Sequence, residues 1–377
     1  MTIRRNLLKI GTAALALSVF APHSAQADDP IPVVATFSIL GNMVERIGGE
    51  HIALTTLVGP DGDAHVYQPT PADARAVSDA DLLFVNGLEF EGWMERLVDA
   101  SGFDGVEVVA TTGIDPIPFE EDDHDDHGDE HADDHGDEHG HDDHGHGHDE
   151  HAHGEHGHDE HAHDDHGHDE HAHDDHGHDH DDHAEAGHDD HAEGGHHGHD
   201  HGAFDPHAWQ SIGHAVAYVD NITEALAKAD PSNAGDYYQN RAAYVAELEA
   251  LDAEIRAMIS TLPEDRRTVV TSHDAFGYFA ESYGLTFEAP QGLSTESEPS
   301  AADVAEMIEQ IRDENISAVF VESITDNRLL EQIASETGAT IGGTLYSDAL
   351  SGPDGPASTY IDMMRHNATT LATALGS

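Results

Sequence analysis

The 377-residue chain has no cysteine. It therefore has no disulfide and no thiolate metal site, and it lacks the lipidated cysteine that would tether an exported protein to a membrane. Basic residues are scarce too: 14 Lys or Arg stand against 77 Asp or Glu, for a formal charge of -63. That balance repels nucleic acid and anionic membrane surfaces and leaves small cations as compatible ligands. The apolar run over 10–20 is too short to span a bilayer.

That run has the setting of an export signal. Arg4, Arg5 and Lys9 precede it, and Ala25-Gln26-Ala27 follows as a small-residue cleavage site. Residues 1–27 are expected to be a cleavable signal peptide that places the mature protein in the periplasm. Arg4-Arg5-Asn6-Leu7-Leu8-Lys9 also approximates a twin-arginine signal, so the Sec and Tat routes both stay open.

Residues 120–201 hold 29 His, 33 Asp or Glu and no Lys or Arg. With almost no apolar side chain beyond Ala, the tract has too little to bury to offset the entropy of ordering it, and it is expected to be a disordered loop. Its decapeptide His-Asp-Glu-His-Ala-His-Asp-Asp-His-Gly begins at His158 and again at His168. Dense imidazole beside carboxylate is a ligand set for divalent cations such as zinc. His127-Gly128-Asp129-Glu130-His131 matches a metalloprotease pattern, but that chemistry needs a stable helix, which a Gly- and Asp-rich repeat does not supply.

On either side of the tract, strand and helix signals alternate. Strands are expected at 33–37, 52–58, 82–85 and 106–110, and at 268–272, 285–287, 318–321 and 340–341. Helices are expected at 38–47 (capped by Ser38), 71–80, 91–100, 211–228, 276–283, 300–313, 327–337 and 356–375. Alternation of this kind implies α/β architecture: two lobes, each a parallel sheet flanked by helices. Between them, 231–261 reads as one long helix with Pro231 in its first turn and an apolar stripe through Tyr244, Val245, Leu248, Leu251, Ile255, Met258 and Ile259. The expected division is a signal at 1–27, an N-terminal lobe at 28–230 containing the tract, a rigid linker helix at 231–262 and a C-terminal lobe at 263–377.

Ligands of open α/β sheets sit beyond the carboxyl ends of the strands. Three histidines outside the tract occupy such places. His65 lies in the turn-rich Gly59-Pro60-Asp61-Gly62-Asp63-Ala64-His65, His207 in Asp205-Pro206-His207-Ala208-Trp209, and His273 directly after the strand at 268–272. Asp348, after the last strand, fits as the fourth ligand from the second lobe. Three imidazoles and a carboxylate suit tetrahedral zinc, and a closed set of four favours holding metal over catalysing with it. His51, His214 and His366 lie in or beside regular elements and are read as structural. Asp205, Asp274 and Glu322 are candidates to orient the ligand rings.

His65-Val66-Tyr67-Gln68-Pro69-Thr70-Pro71, Asp205-Pro206-His207-Ala208-Trp209, Ser272-His273-Asp274-Ala275-Phe276-Gly277-Tyr278 and Tyr346-Ser347-Asp348 occur in that order. By these motifs the chain resembles the metal-binding, solute-binding proteins of bacterial ABC importers, and most of all their zinc members. The resemblance implies no enzyme but a zinc carrier with Zn2+ as transported ligand, bound in the interlobe cleft by His65, His207, His273 and Asp348. It also implies a membrane permease and a periplasmic zinc metallochaperone as partners, and a monomer. Manganese and iron members tend to carry a carboxylate where this chain has His273, and zinc members often carry a His-rich loop before the second motif. The cysteine pair of some zinc relatives is missing. A manganese or iron carrier, a zinc buffer working through the tract, and a zinc hydrolase with an open coordination position are the alternatives.

Overall fold

A computed structural model describes residues 29–119 and 203–376. The expected signal peptide and the His-rich tract, with its expected disorder, lie outside the described residues. The chain leaves and re-enters the described body at one point. Phe119 N donates to Ala203 O at 3.0 Å, Asp205 N to Ile117 O at 2.9 Å, and Pro118 bridges Phe204 in antiparallel fashion.

The first sheet is built from β1 (Ile31–Phe37), β2 (Ile52–Val58), β3 (Leu82–Val85) and β4 (Val106–Val109), all parallel in the order β2-β1-β3-β4. All four residues of β3 are buried, as a continuous apolar run in a sheet covered on both faces requires. Helices α1 (Ser38–Gly48), α2 (Pro71–Ser78) and α3 (Met94–Ser101) make the crossovers. In α2, Pro71 opens the first turn and Thr70 and Asp73 form a reciprocal capping box. The start of α1 departs from expectation. Ser38 is the first helical residue and caps nothing; its Oγ accepts Leu350 N at 2.9 Å, from the loop beyond the last strand of the second sheet.

The second sheet repeats the arrangement with β5 (Thr268–Val270), β6 (Thr286–Glu288), β7 (Ala318–Glu322) and β8 (Thr340–Leu345), parallel in the order β6-β5-β7-β8. Helices α6 (Gly277–Tyr283), α7 (Ala301–Asp313) and α8 (Arg328–Thr337) connect them, and α9 (Tyr360–Leu375) closes the chain. Strand β8 is longer than its apolar signal because Gly342 and Gly343 interrupt the pattern. A Cβ on Gly342 would fall 2.5 Å from the Phe320 ring, so the glycine that hides the strand also makes room for β7.

Helix α4 (Ile212–Ala229) and the long α5 (Ala234–Ile259) join the two halves. At about 1.5 Å per residue α5 runs about 39 Å. Of its expected stripe, Tyr244, Leu248, Leu251, Ile255 and Ile259 are buried, while Val245 and Met258 at its edge are half-buried. It begins three residues later than Pro231, because Asp230 closes a turn there. Asp230 Oδ2 accepts Asn233 Nδ2 at 2.6 Å and Tyr237 Oη at 2.9 Å. One core runs from Phe37 through Trp209, Tyr218 and Tyr244 to Phe276 and Tyr360, and a smaller one under the second sheet gathers Val270, Ile311, Val319 and Ile333.

Candidate metal centre

Each of the four expected residues stands on a loop at the carboxyl end of a strand or before a helix, and each loop is tied down locally. After β2, His65 N donates to Asp63 Oδ1 at 2.9 Å, and Trp93 Nε1 donates to Ala64 O at 2.7 Å. Before α4, Asp205 Oδ1 accepts both the backbone N–H of His207 and its ring Nδ1 at 2.8 Å. An ionised carboxylate only accepts, so Nδ1 carries the proton and Nε2 presents a lone pair. After β5, Glu322 Oε1 accepts Ser272 N at 2.8 Å and His273 N at 2.9 Å, while Oε2 lies 2.7 Å from His273 Nδ1. After β8, the Ser347 carbonyl accepts Trp209 Nε1 at 2.9 Å and Gln210 Nε2 at 2.8 Å, which binds the Asp348 loop to the His207 loop.

The three imidazoles form a near-equilateral triangle with ring centroids 5.5, 5.5 and 5.8 Å apart. Asp348 faces all three. Its Oδ2 lies 3.0 Å from His273 Nε2 and 3.4 Å from His65 Nε2, and its Oδ1 lies 3.5 Å from His207 Nε2. Ligand atoms on a tetrahedron about 2.0–2.1 Å from zinc are about 3.3–3.4 Å apart, close to these separations. One ligand atom from each of the four lies within 4.8 Å of the others, the only such group found among the described residues. All four residues are buried, and His207, His273 and Asp348 are fully so. The three Nε2 atoms and both Asp348 oxygens have no hydrogen-bond partner. Five buried polar atoms left unpaired around one point would be costly, and a cation there removes the cost.

The site is electrostatically coupled. Burial disfavours charge on His273, but Glu322 and Asp348 outweigh it and hold its pKa well above the usual histidine value. Burial would raise Asp348, yet the facing histidines hold its carboxyl far below the usual carboxylate range. His65 moves the other way, lowered chiefly by burial.

The orienting residues follow expectation in two cases of three. Asp205 and Glu322 each reach the Nδ1 side of a ring, whereas Asp274 is half-buried and its backbone N–H donates to Gln291 O at 3.1 Å and Gly292 O at 3.2 Å. The Asp274 carboxyl is pushed up to about 6 by burial and then by the charge of Asp205. The remaining histidines among the described residues stay outside: His51 pairs with Asp236 at 3.0 Å, His366 bonds Thr344 O at 3.0 Å, and His214 packs edge-on against Tyr278. Trp93, Trp209 and Ser347 escape a reading by residue type, since each acts through an ordinary backbone or indole bond. Position beside a ligand motif is their only sequence signal.

The family described as zinc-uptake complex component A, periplasmic, matches residues 33–374. The manganese-binding lipoprotein MntA of Halalkalibacterium halodurans is 28% identical over 353 residues, 93% of this chain and 91% of that protein. The iron-binding protein YfeA of Yersinia pestis is 28% identical, covering 97% and 92%. Among solved structures, the periplasmic zinc-binding protein TroA of Treponema pallidum superposes with a TM-score of 0.68 at 26% identity, over 92% of this chain and 99% of that one. Two parallel four-stranded lobes, one long connecting helix and a buried His3Asp cluster thus coincide with a match over nearly the whole chain. The chain belongs to the zinc-uptake complex component A family, the substrate-binding proteins of metal ABC transporters.

Proposed function

We propose that this chain captures Zn2+ in the periplasm, with His65, His207, His273 and Asp348 as ligands, and hands it to a membrane permease. Zinc is cargo, and the family consists of solute-binding proteins rather than enzymes. The observation that carries the reading is the convergence of five buried, unpartnered polar atoms on one point. Three imidazoles with a single carboxylate suit zinc better than manganese, which favours oxygen donors. With this reading go a mature chain after residues 1–27, lobes over 28–230 and 263–377 that each contribute two ligands, and a linker over 231–262. It also places the protein as a monomer supplied by a periplasmic zinc metallochaperone. Among the described residues no helix is long and apolar enough to cross a membrane. Several relatives are named lipoproteins, but these 377 residues contain no cysteine to carry a lipid.

Manganese or iron cargo is the second reading, because MntA and YfeA carry those metals in their names. Zinc outcompetes manganese at almost any nitrogen-rich site, so relative affinity does not separate the two. Cellular uptake does: removing the gene should abolish high-affinity uptake of radioactive zinc and leave manganese and iron uptake intact. Loss of manganese uptake alone would overturn the zinc assignment.

A further inference from the structure

Glu91 is buried, has no basic partner among the described residues, and lies outside the four-residue centre. We propose that it is a positioning residue for that centre: by clamping the 86–91 loop it fixes His65 and His207 relative to each other. The inference rests on the zinc-site reading above.

The loop is one that needs a clamp. Gly87, Leu88 and Glu89 take φ values of 88°, 53° and 62° in succession. Leucine and glutamate are strained in that region. Glu91 closes the turn against the end of β1. Its Oε1 accepts Thr36 Oγ1 at 2.6 Å and Asn86 N at 2.7 Å, and its Oε2 accepts Gly87 N at 3.3 Å. A cavity of about 600 Å3 lies along the loop, lined by Leu88, Glu89 and Glu91 together with His65. On that side open space, not packed side chains, borders the loop, so its shape depends on the clamp. Burial also pushes the Glu91 carboxyl pKa upward in spite of the hydrogen bonds it accepts.

What the loop carries reaches both histidines. The Phe90 ring stands edge-on to His65 with centroids 4.7 Å apart and lies 6.0 Å from His207. Asn86 Nδ2 donates to the carbonyl of Pro206, the residue before His207, at 2.9 Å, and Asn86 Oδ1 accepts Tyr218 Oη at 2.6 Å. One loop therefore bears on the ring of His65 and on the backbone just before His207. Glu91 never touches the ion; it keeps the two rings at the spacing that a small tetrahedral cation needs.

The test uses the full chain as Glu91→Ala, Glu91→Gln and Phe90→Leu. Zinc affinity is read by competition with a chromophoric chelator, and ligand geometry by the visible absorption of the Co2+-loaded protein. Glu91→Ala should weaken zinc by about 10- to 100-fold, the usual effect of losing an outer-shell support, and dim the intense tetrahedral cobalt bands. Glu91→Gln keeps an acceptor for Thr36 and Asn86 and should recover most of both signals. Phe90→Leu should alter the cobalt bands with the clamp intact. A folded Glu91→Ala protein with wild-type affinity and cobalt spectrum would overturn the proposal, even if its melting temperature fell. Should that variant not fold, an unchanged cobalt spectrum for Phe90→Leu overturns it instead. Failure of the wild-type chain to take zinc and cobalt into one tight site would count against the zinc reading itself.

Discussion

Glu322 holds His273 from both ends, its Oε1 on the histidine's backbone N–H at 2.9 Å and its Oε2 2.7 Å from the ring Nδ1. The ring can neither swing nor change tautomer without breaking a contact to a fully buried carboxylate. Glu322→Gln should keep the backbone bond but lose the charge behind the ring. We expect zinc affinity to fall about 10- to 100-fold with the fold retained, measured by chelator competition and circular dichroism.

Removing a proposed ligand should have a larger effect. His65→Ala, His207→Ala, His273→Ala and Asp348→Ala each leave at most three donors in a buried pocket, and roughly 100-fold or more of zinc affinity should be lost. His51→Ala and His366→Ala, whose rings bond to Asp236 and the Thr344 carbonyl, should leave affinity unchanged. Equal losses in both sets, read by isothermal titration, would dissolve the assigned site.

The pH dependence should run in opposite directions for the empty and loaded forms. His273 has a folded pKa above its unfolded value, so its contribution to the metal-free protein is complete below about pH 6.5 and is lost as pH rises through the folded pKa. Zinc, in contrast, must displace that proton, so binding tightens as pH rises toward the same value. Thermal melts from pH 6 to 9 should fall for the apo protein, while the zinc-induced rise in melting temperature grows. A zinc-induced rise that stays flat across this range would contradict a protonated His273.

Residues 120–201 can be removed with little strain, since Phe119 and Ala203 are already hydrogen-bonded neighbours. The shortened protein should keep one tight zinc and lose only weaker stoichiometry, counted by equilibrium dialysis. No tight zinc after the deletion would move the site into the tract.

Gly342→Ala is expected to be costly although it adds one methyl group. The new Cβ would meet the Phe320 ring at 2.5 Å, and overpacking of this kind destabilises by about 1–3 kcal/mol. Urea denaturation should show a lower midpoint with unchanged slope.

Much of this architecture is legible in the chain itself. The unbroken apolar run of β3 and the three-and-four spacing along α5 have one physical reading each. Their limits blur where a local rule meets a tertiary demand: Ser38 has the chemistry of a cap but serves Leu350 across the molecule, and Gly342 breaks a strand signal to admit Phe320. The proposed ligands stand out because histidine at a strand end has few other uses. The network of Glu91, Asn86 and Phe90 does not, because its meaning comes from spatial contacts with residues up to 132 positions away.

The paired segments at 117–119 and 203–205 have a consequence for the gene as well as for the fold. A loop whose ends are pinned together can double in length for only about 0.6 kcal/mol of closure entropy. Tandem decapeptide units between these ends can therefore multiply or disappear by replication slippage with the metal centre unaffected. Closely related strains should differ widely in histidine number here while residues 203–209 hold constant.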